Sequence, residues 1–474
     1  MSNGKNWSRY LIWTTTVACL ASIQYGYHMA ELNSPGAVLS CQTNSPIPGR
    51  SYLDTWMHKI GLRQCITMDE SGLGLITSIF SIGGLVSSIY AGAVADKLGR
   101  KLTSLINSLI FFIGSLIIAF ANNFTVFAIG RFIAGFGAGS GIVVTPLLIN
   151  EISPNSLKGR LGSMNQVAIN LGILLTQVLA IKWANDLYWR YLLFAGAVLA
   201  ALNFIALLFI EESPKWLRLN GHDRKAKLVS IKLNGDYAPL LGNIEDIDGG
   251  SASEQYQETD SRNAINISSY IKGPVYRNSL VVVTALLAGQ QFCGINSIVF
   301  YGVNTIRKIT TPNKAVVINC LISLGSACVT FFSAPLIDKY GRKPCLVLSV
   351  GIMGVSSVMI AIGTLNAIAI ISVIFTSVYV SAFAIGLGPI PFLMIPELTQ
   401  IEARGAAQSY GTSINWLATF LVGYFFPILD ALIGGYVYLL FALICGVFFL
   451  YLKNDVPETK GYKTYEEVWS LPVD

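Results

Sequence analysis

The segment that decides the fold is a short polar turn that occurs twice. It reads Gly92-Ala-Val-Ala-Asp96-Lys97-Leu-Gly99-Arg100-Lys101 and returns as Ala334-Pro-Leu-Ile-Asp338-Lys339-Tyr-Gly341-Arg342-Lys343. A second echo lies further along each half, with Glu151 before Lys158-Gly159-Arg160 and Glu397 before Arg404-Gly405. Long apolar stretches surround all of these motifs. The duplication therefore predicts two halves of like topology, as in transporters built from parallel repeats.

The composition outside the repeated turns is that of a membrane protein. Of the 474 residues, 53% are hydrophobic and 12% are charged, and the mean hydropathy is +0.57. Soluble domains carry roughly 25% charged residues, so these numbers exclude an ordinary soluble enzyme, and also disordered, coiled-coil and collagen-like chains. The net charge of +6 does not indicate nucleic-acid binding, because membrane proteins place Lys and Arg in cytoplasmic loops for topological reasons.

Twelve stretches are long and apolar enough to cross a hydrocarbon core of about 30 Å. They run approximately over residues 10–31, 71–95, 102–121, 125–149, 161–182, 188–210, 279–305, 314–337, 345–364, 368–396, 406–427 and 433–452. The first lacks a convincing cleavage site and is predicted to be an uncleaved span. The predicted fold is an all-α membrane protein of twelve transmembrane helices in two six-helix parallel repeats.

The loops divide the chain into five parts. These are a cytoplasmic N-terminus (1–9), a first six-helix bundle (10–211), a cytoplasmic central loop with short helices (212–273), a second bundle (274–453) and a cytoplasmic tail (454–474). With both termini in the cytoplasm, most of the 32 Lys and Arg residues fall on that side, as the positive-inside rule requires. Residues 249–262 are polar and are expected to be mobile.

Cysteine placement suggests one disulfide. Cys41 and Cys65 are the two cysteines clearly placed in the long noncytoplasmic loop, residues 32–70, of the eight in the chain. A disulfide between them is possible if that compartment is oxidising. The other six are read as small apolar residues in or near the spans.

The charged residues of the repeated motifs are candidates for a cytoplasmic gate. Asp and Arg beside a tight Gly turn can form ion pairs with glutamates of a neighbouring helix and lock one side of the molecule shut. The alternative is a solvated turn that only obeys the positive-inside rule. The candidates are Asp96, Arg100, Glu151, Lys158, Glu212, Asp338, Arg342, Glu397, Arg404 and Glu458.

The predicted interior of the bundle carries amides rather than charges. They are Gln166 and Gln177 in span 5, Gln290, Gln291 and Asn296 in span 7, and Asn415 in span 11. Each amide both donates and accepts hydrogen bonds, which suits a neutral polyhydroxylated solute, whereas an ion would need carboxylates or an Arg clamp. The alternative is that these amides join packed helices.

Two glycine-rich segments are expected to affect the shape or the packing of the helices. Span 10 contains Gly386-Leu-Gly388-Pro389-Ile-Pro391, which predicts a hinge, with a purely structural kink as the alternative. Residues 135–141 of span 4 alternate glycine with other residues. They resemble a phosphate loop only superficially, and close helix packing is the interpretation favoured.

Two ionisable residues fall in span 1. His28 and Glu31 share one helical face, where a protonatable pair would couple transport to a proton gradient. Alternatively, Glu31 lies at the outer water interface and His28 is a neutral hydrogen-bonding group. With three His in the chain and neither a His-Glu-x-x-His nor a Gly-x-Ser-x-Gly motif, no catalytic activity, metal or cofactor is expected.

In these residues the chain resembles the sugar porters of the major facilitator superfamily over nearly its whole length. The matching segments are Asp96-Lys97-x-Gly99-Arg100-Lys101, Gly130-Arg131-Phe132, Pro146 to Pro154, Glu212-Ser213-Pro214-Lys215-Trp216-Leu217, Gln290-Gln291-x-x-Gly294-Ile295-Asn296, Gly388-Pro389-Ile390-Pro391, Asn415-Trp416 and Pro457-Glu458-Thr459-Lys460-Gly461. The resemblance implies that Gln166, Gln290, Gln291, Asn296 and Asn415 contact a hexose. It also implies that Ile173, Phe383, Phe392 and Trp416 line the cavity.

Departures from the family pattern leave the substrate and the coupling open. Phe392 stands where a Trp is usual and Ala384 where glucose facilitators carry Glu. His28 stands where proton-coupled members tend to have Asp and facilitators Asn. Residues 26–35 resemble those of a fungal endomembrane subgroup. The expected location is therefore either an endomembrane, such as the vacuolar membrane, or the plasma membrane.

Together these features predict a carrier that moves a hexose-like sugar or related polyol by alternating access, either facilitative or proton-coupled. Its partners would be the sugar, the lipid bilayer and, in the proton-coupled mode, protons, with a monomeric transport unit. A sugar receptor or a membrane scaffold on the same fold is the alternative function.

Overall fold

A computed structural model describes residues 8–47, 49–154, 157–234, 265–462 and 465–470, and the side chains of residues 158–160, 234, 334 and 401 are not described. Two expectations therefore lie outside the described residues. One is the mobility of residues 249–262. The other is the role of the Lys158 side chain, although the backbone of Lys158 begins a helix.

Twelve spans form the body of the described chain. Spans 1 to 6 are Arg9–Ala30, Glu70–Leu98, Arg100–Phe120, Phe124–Ile152, Lys158–Trp183 and Trp189–Leu208. Span 7 is Arg277–Phe292 with Ile295–Arg307, span 8 is Pro312–Tyr340 and span 9 is Arg342–Leu365. Span 10 is Ala369–Ile385 with Ile390–Glu397, span 11 is Arg404–Ile433 and span 12 is Val437–Asn454.

Length and hydropathy by themselves recognise ten membrane-crossing segments in the described chain. Arg404–Asn454 counts as one of them although it contains spans 11 and 12, and span 1 is not among them. Span 1 is less apolar because it carries polar residues such as Thr14, Gln24 and His28, all buried inside the protein. The predicted start of span 12 at residue 433 is wrong, since Ile433 ends span 11 and Gly434 turns the chain with φ +58°.

Spans 7 and 10 are both interrupted, span 10 at the Gly and Pro segment that predicted a hinge. In span 7 the break falls at Gly294, whose φ of +101° is a left-handed conformation that favours glycine. In span 10 the helix ends at Ile385 and resumes at Ile390. The side chain of Gln290 donates to two carbonyls in this second break, Leu387 O at 2.7 Å and Gly388 O at 2.9 Å. Span 7 thus supplies hydrogen-bond donors to two backbone carbonyl groups at the break in span 10.

In the first half, span 4 packs tightly against spans 2 and 3. A Cβ added at Gly83 would lie 2.1 Å from the carbonyl oxygen of Phe132, and one added at Gly135 would lie 1.9 Å from the carbonyl oxygen of Phe80. Only glycine permits such a backbone approach. The glycines of span 4 therefore serve helix packing, as the sequence favoured.

In the second half, span 9 packs against spans 10 and 12, and span 7 packs against span 11. The halves meet along two pairs, span 2 with span 11 and span 5 with span 8. These pairs enclose the space in which the central cavity lies.

The two ends of the bundle differ. We call the end that carries Asp96–Arg100 and Asp338–Arg342 the motif side, where the short helices Pro214–Leu219, Asp223–Asn234 and Ile267–Lys272 also occur. At the other end, called the disulfide side, Cys41 is bonded to Cys65. The short helix Gly36–Leu39 precedes the disulfide, and the loop that the disulfide closes contains the short helix Trp56–Lys59.

Candidate functional site: a central cavity and its charged surroundings

A cavity of about 110 Å³ lies between the two halves. Spans 1, 4 and 5 line it from the first half, and spans 7, 8, 10 and 11 from the second. The described residues that line it are all uncharged. Eight of the nine residues expected to contact the sugar or line the cavity are among them: Gln166, Ile173, Gln290, Gln291, Asn296, Phe383, Phe392 and Asn415.

Trp416 is the exception and needs a correction. It does not line the cavity but packs across the interface between the halves, edge-on to Tyr25 at 5.8 Å and to Phe80 at 6.1 Å between ring centroids. A Cβ added at Gly84 of span 2 would lie 2.7 Å from its ring. The absence of a side chain at Gly84 thus provides the space that Trp416 fills.

Four amides of the second half form one hydrogen-bonded cluster. Gln290 Oε1 accepts from Asn415 Nδ2 at 2.7 Å and from Gln291 Nε2 at 3.1 Å, and Gln291 Oε1 accepts from Asn296 Nδ2. Asn296 Oδ1 is buried without a hydrogen-bond partner. A buried acceptor of this kind favours a ligand that donates a hydrogen bond.

The cavity also contains polar residues that the expected set of sugar contacts omits. Asn319, Ser323 and Ser326 lie on one face of span 8, and Asn170 of span 5 donates to Thr330 Oγ1 of span 8 at 2.6 Å. The spacing of three and four residues between the span 8 side chains is a helical signal that could have revealed them. Gln177, an expected interior amide, instead accepts from Ser34 Oγ at 2.8 Å.

A buried charged cluster lies in the first half. His28 Nδ1 is 2.9 Å from Glu31 Oε2, and Arg131 Nη1 donates to Glu31 Oε1 at 2.6 Å. All three residues are fully buried, so the alternative that placed Glu31 at the water interface is wrong. Sequence reasoning assigned no role to Arg131. The signal available was its position inside an apolar span, where an unpaired charge is costly.

The surroundings hold this cluster in place. Arg131 also donates to the carbonyls of His28 at 2.9 Å and Thr77 at 3.2 Å. The other ring nitrogen of His28 lies 3.1 Å from Ser115 Oγ, and the ring stacks on Phe111 with centroids 5.1 Å apart. Span 1 is thereby joined to spans 2, 3 and 4 through polar contacts inside the first half.

On the motif side of the first half, Arg100 joins two expected carboxylates. Its Nη2 lies 3.0 Å from Asp96 Oδ1 and 2.8 Å from Glu151 Oε1. Glu212 accepts the backbone N–H groups of Arg100 and Lys101, both at 2.9 Å. Burial raises the pKa of Glu212, and these hydrogen bonds together with the nearby Arg100 charge act in the opposite direction.

The second half repeats this arrangement with a looser geometry. Arg342 Nη2 lies 2.9 Å from Glu397 Oε1, whereas its distance to Asp338 is 3.9 Å. Glu458 accepts the backbone N–H groups of Arg342 at 2.9 Å and Lys343 at 3.1 Å, as Glu212 does in the first half.

The residues that follow these two glutamates correspond as well. Ser213 donates to Glu151, and Thr459 donates to Glu397. Arg404 requires a correction, because its side chain is exposed and forms no ion pair in the described part of the chain.

The fold and the cavity define a class of protein: a multi-pass membrane carrier with two six-helix halves around an uncharged polar site. Residues 14–469 match the family described as "Sugar (and other) transporter". The chain belongs to this family.

Three similar proteins extend the comparison. A "Probable metabolite transport protein" of Saccharomyces cerevisiae is 46% identical over 465 residues, 97% of this chain and 95% of that protein. The "Vacuolar protein sorting-associated protein 73" of the same yeast is 38% identical, covering 96% of this chain and 94% of that protein. The inward-open, partially occluded structure of the xylose transporter XylE from E. coli superposes with a TM-score of 0.77 at 24% identity, covering 96% of this chain and all of that one.

The chain is therefore a sugar porter of the major facilitator superfamily that works by alternating access. Its family and fold are those of transporters, and the receptor or scaffold alternative is not favoured.

Proposed function

We propose that the chain carries a neutral hexose-like sugar or a related polyol through the central cavity. The observation that carries this proposal is the unpartnered Asn296 Oδ1 within an uncharged amide cluster. A sugar hydroxyl would donate to this oxygen, and neighbouring hydroxyls would exchange hydrogen bonds with Gln290 and Asn415. The cavity volume of about 110 Å³ lies below the 300–1,000 Å³ of drug-sized pockets, which favours a small solute.

Uptake into liposomes tests this proposal. The purified chain is expected to give saturable uptake of labelled glucose or another member of a hexose and polyol panel, and the Gln290→Ala, Asn296→Ala double variant should lose it. Asn203→Ala is a matched control, since Asn203 is a buried amide with an unpartnered Oδ1 that lies outside the cavity. No uptake across the panel, or equal uptake by the double variant, would overturn the proposed substrate.

The charged cluster supports a proton-coupled mode, with His28 as the proton acceptor. Histidine is the side chain type suited to exchanging protons near neutral pH, and Glu31, Arg131 and Ser115 face the His28 ring. A proton on His28 would add a positive charge beside Glu31 Oε2, while Arg131 holds Glu31 Oε1. The added charge would change how span 1 is held against span 4.

Accumulation against a gradient tests this coupling. An inward proton gradient should drive the wild-type chain to accumulate the sugar, whereas His28→Asn should retain exchange at equal pH and lose accumulation. Unchanged accumulation in His28→Asn would overturn the assignment to His28. Wild-type uptake without accumulation would instead indicate a facilitator.

We propose that the motif-side ion pairs form the cytoplasmic gate. Arg100 with Glu151 and Arg342 with Glu397 each join helices of one half, so their release would free the ends of spans 4 and 10 to move during alternation. Of the described hydrogen bonds between halves, Asn33 Oδ1 with the Val303 N–H at 2.9 Å and Arg307 with Ser34 O at 3.2 Å lie towards the disulfide side. Asn170 with Thr330 Oγ1 at 2.6 Å lies beside the cavity. A carrier that opens towards its motif side is expected to keep contacts between its halves at the opposite end.

Topology and location complete the proposal. Both termini are assigned to the cytoplasm because Lys and Arg are concentrated on that side. An endomembrane, the vacuolar membrane in particular, is favoured over the plasma membrane by the similarity to a protein named for vacuolar sorting. Protease protection of tagged termini in sealed vesicles, together with imaging of the tagged chain, tests both assignments. Cleavage restricted to the lumenal side would reverse the topology.

A further inference from the structure

An open apolar groove lies on the outer surface of the second half, between spans 9, 10 and 12. Its volume is about 690 Å³. Gly351 and Phe449 both line it, and a Cβ added to Gly351 would come within 3.3 Å of the Phe449 ring. Val355 at its edge is 64% exposed, and an exposed apolar residue inside a membrane span faces lipid. The groove is separate from the central cavity and shares none of its lining residues.

The length of the groove matches one leaflet of a bilayer. Its lining extends along span 9 from Lys343 to Ser356, a distance of about 20 Å at about 1.5 Å of rise per residue. Half of a hydrocarbon core is about 15 Å thick. An acyl chain that enters from the motif side would therefore be covered along its length.

Lys343 gives the mouth of the groove a positive charge. Its backbone N–H donates to Glu458, but its ammonium group forms no hydrogen bond or ion pair with the described residues. Lys101 is the matching lysine of the first half. Its ammonium group has a partner, because it donates to Leu208 O at 3.2 Å. Two further lysines lie on the motif side. The ammonium of Lys339, near the end of span 8, lies over the Tyr340 ring, and the ammonium of Lys460, in the tail after span 12, donates to Lys339 O.

The corresponding surface of the first half has a different shape. Leu109 occupies the position that matches Gly351, and Leu102 the position that matches Pro344. Both leucines are about half exposed, at 48% and 46%. The groove and the unpaired ammonium therefore occur together in the second half, whereas the first half carries leucines at the two matching positions and engages its lysine.

We infer that this groove binds one diacyl phospholipid with an anionic headgroup, drawn from the leaflet on the motif side. The headgroup phosphate pairs with the Lys343 ammonium, and one acyl chain lies between spans 9, 10 and 12. The Glu458 carboxylate accepts backbone N–H groups at the start of span 9, and it forms no ion pair with the Lys343 ammonium in the described part of the chain. Juxtamembrane lysines attract anionic lipids in this manner.

Native mass spectrometry of the purified full chain tests this inference. The protein is released from micelles that contain equal amounts of phosphatidylserine and phosphatidylcholine. One phosphatidylserine should remain bound in preference to phosphatidylcholine. Lys343→Gln, which removes the charge, and Val355→Trp, which fills the groove, should each lower its retention at least threefold.

The matched controls are Lys101→Gln in the first half and Val358→Trp, at an exposed position of span 9 outside the groove. Both should retain the lipid as the wild type does. Equal retention of the two lipids, or unchanged retention in Lys343→Gln, would overturn the assignment. A dimer that Val355→Trp dissociates would show that a second copy of the chain, not a lipid, covers the groove.

Discussion

In the first half, spans 1 and 4 bring three ionisable side chains together out of contact with water, whereas in the second half spans 7 and 11 bring four neutral amides together. The buried side chains of His28, Glu31 and Arg131 do not line the cavity. The amides line it directly. The first half thus holds the buried charged cluster, and the second half holds the hydrogen-bonded cluster of amides that lines the cavity.

The difference bears on how such a carrier works. A neutral solute needs donors and acceptors but no counter-charge, so the amide cluster suits recognition. A buried ion pair adds little net stability but is strongly disrupted when one partner is lost. Charge in the first half therefore suits a switch, and the halves can be tested against each other position by position.

The largest effect is expected from breaking the charged cluster. Arg131→Met leaves the buried Glu31 carboxylate without its guanidinium partner, and should cost about 3–5 kcal/mol of stability. Thermal unfolding in detergent, followed by size-exclusion chromatography, measures the loss. The Glu31→Leu, Arg131→Met double variant should recover much of it, because no unpaired charge then remains. A single variant as stable as the wild type would contradict the buried pair.

The second prediction compares matched glycines of the two halves. A Cβ at Gly83 would lie 2.1 Å from the Phe132 carbonyl oxygen, whereas one at Gly325 has no neighbour within 4 Å. Gly83→Ala should destabilise the chain by about 1–3 kcal/mol because spans 2 and 4 must separate. Gly325→Ala should be neutral or slightly stabilising. Equal melting temperatures for the two variants would show that the halves do not differ in packing here.

Ligand affinity should depend more on the second half than on the first. Asn296→Ala removes the buried acceptor Oδ1 and should raise the Kd for the transported sugar about tenfold, equivalent to about 1.4 kcal/mol. Gln166→Ala in the first half should raise it about threefold or less, since Gln166 is only half-buried. Equilibrium binding of labelled sugar to each purified variant measures both. The reverse ranking would assign recognition to the first half.

The smallest difference is expected between the two motif-side arginines. The side chains of Arg100 and Glu151 are 6% and 7% exposed, and those of Arg342 and Glu397 are 19% and 29% exposed. Solvent weakens the more exposed pair, so Arg100→Met should cost about 2 kcal/mol and Arg342→Met about 1 kcal/mol or less. Chemical unfolding in detergent gives both values. A larger loss for Arg342→Met would mean that the looser geometry holds the stronger pair.

Much of the candidate site was predictable from residue type and spacing. Gln290, Gln291 and Asn296 stand in a Gly-interrupted apolar span, and the repeated Asp and Arg turns mark both halves. Trp416 and Arg404 were assigned wrongly because a residue in the right segment need not point into the cavity or reach a partner. Arg131 was overlooked because a single cation near the end of a span reads as a loop charge until its carboxylate partner is located in space.

The sequence by itself determined the membrane class, the twelve spans, the duplication and the breaks in spans 7 and 10, since each follows from local composition or from the φ requirements of Gly and Pro. Only the tertiary structure decided which polar groups meet. It joined Glu31 to Arg131 and Asn415 to Gln290, it turned Trp416 towards Gly84, and it left the Lys343 ammonium unpaired while Lys101 was engaged. These contacts depend on how separate helices pack against one another, and one-dimensional spacing does not contain that information.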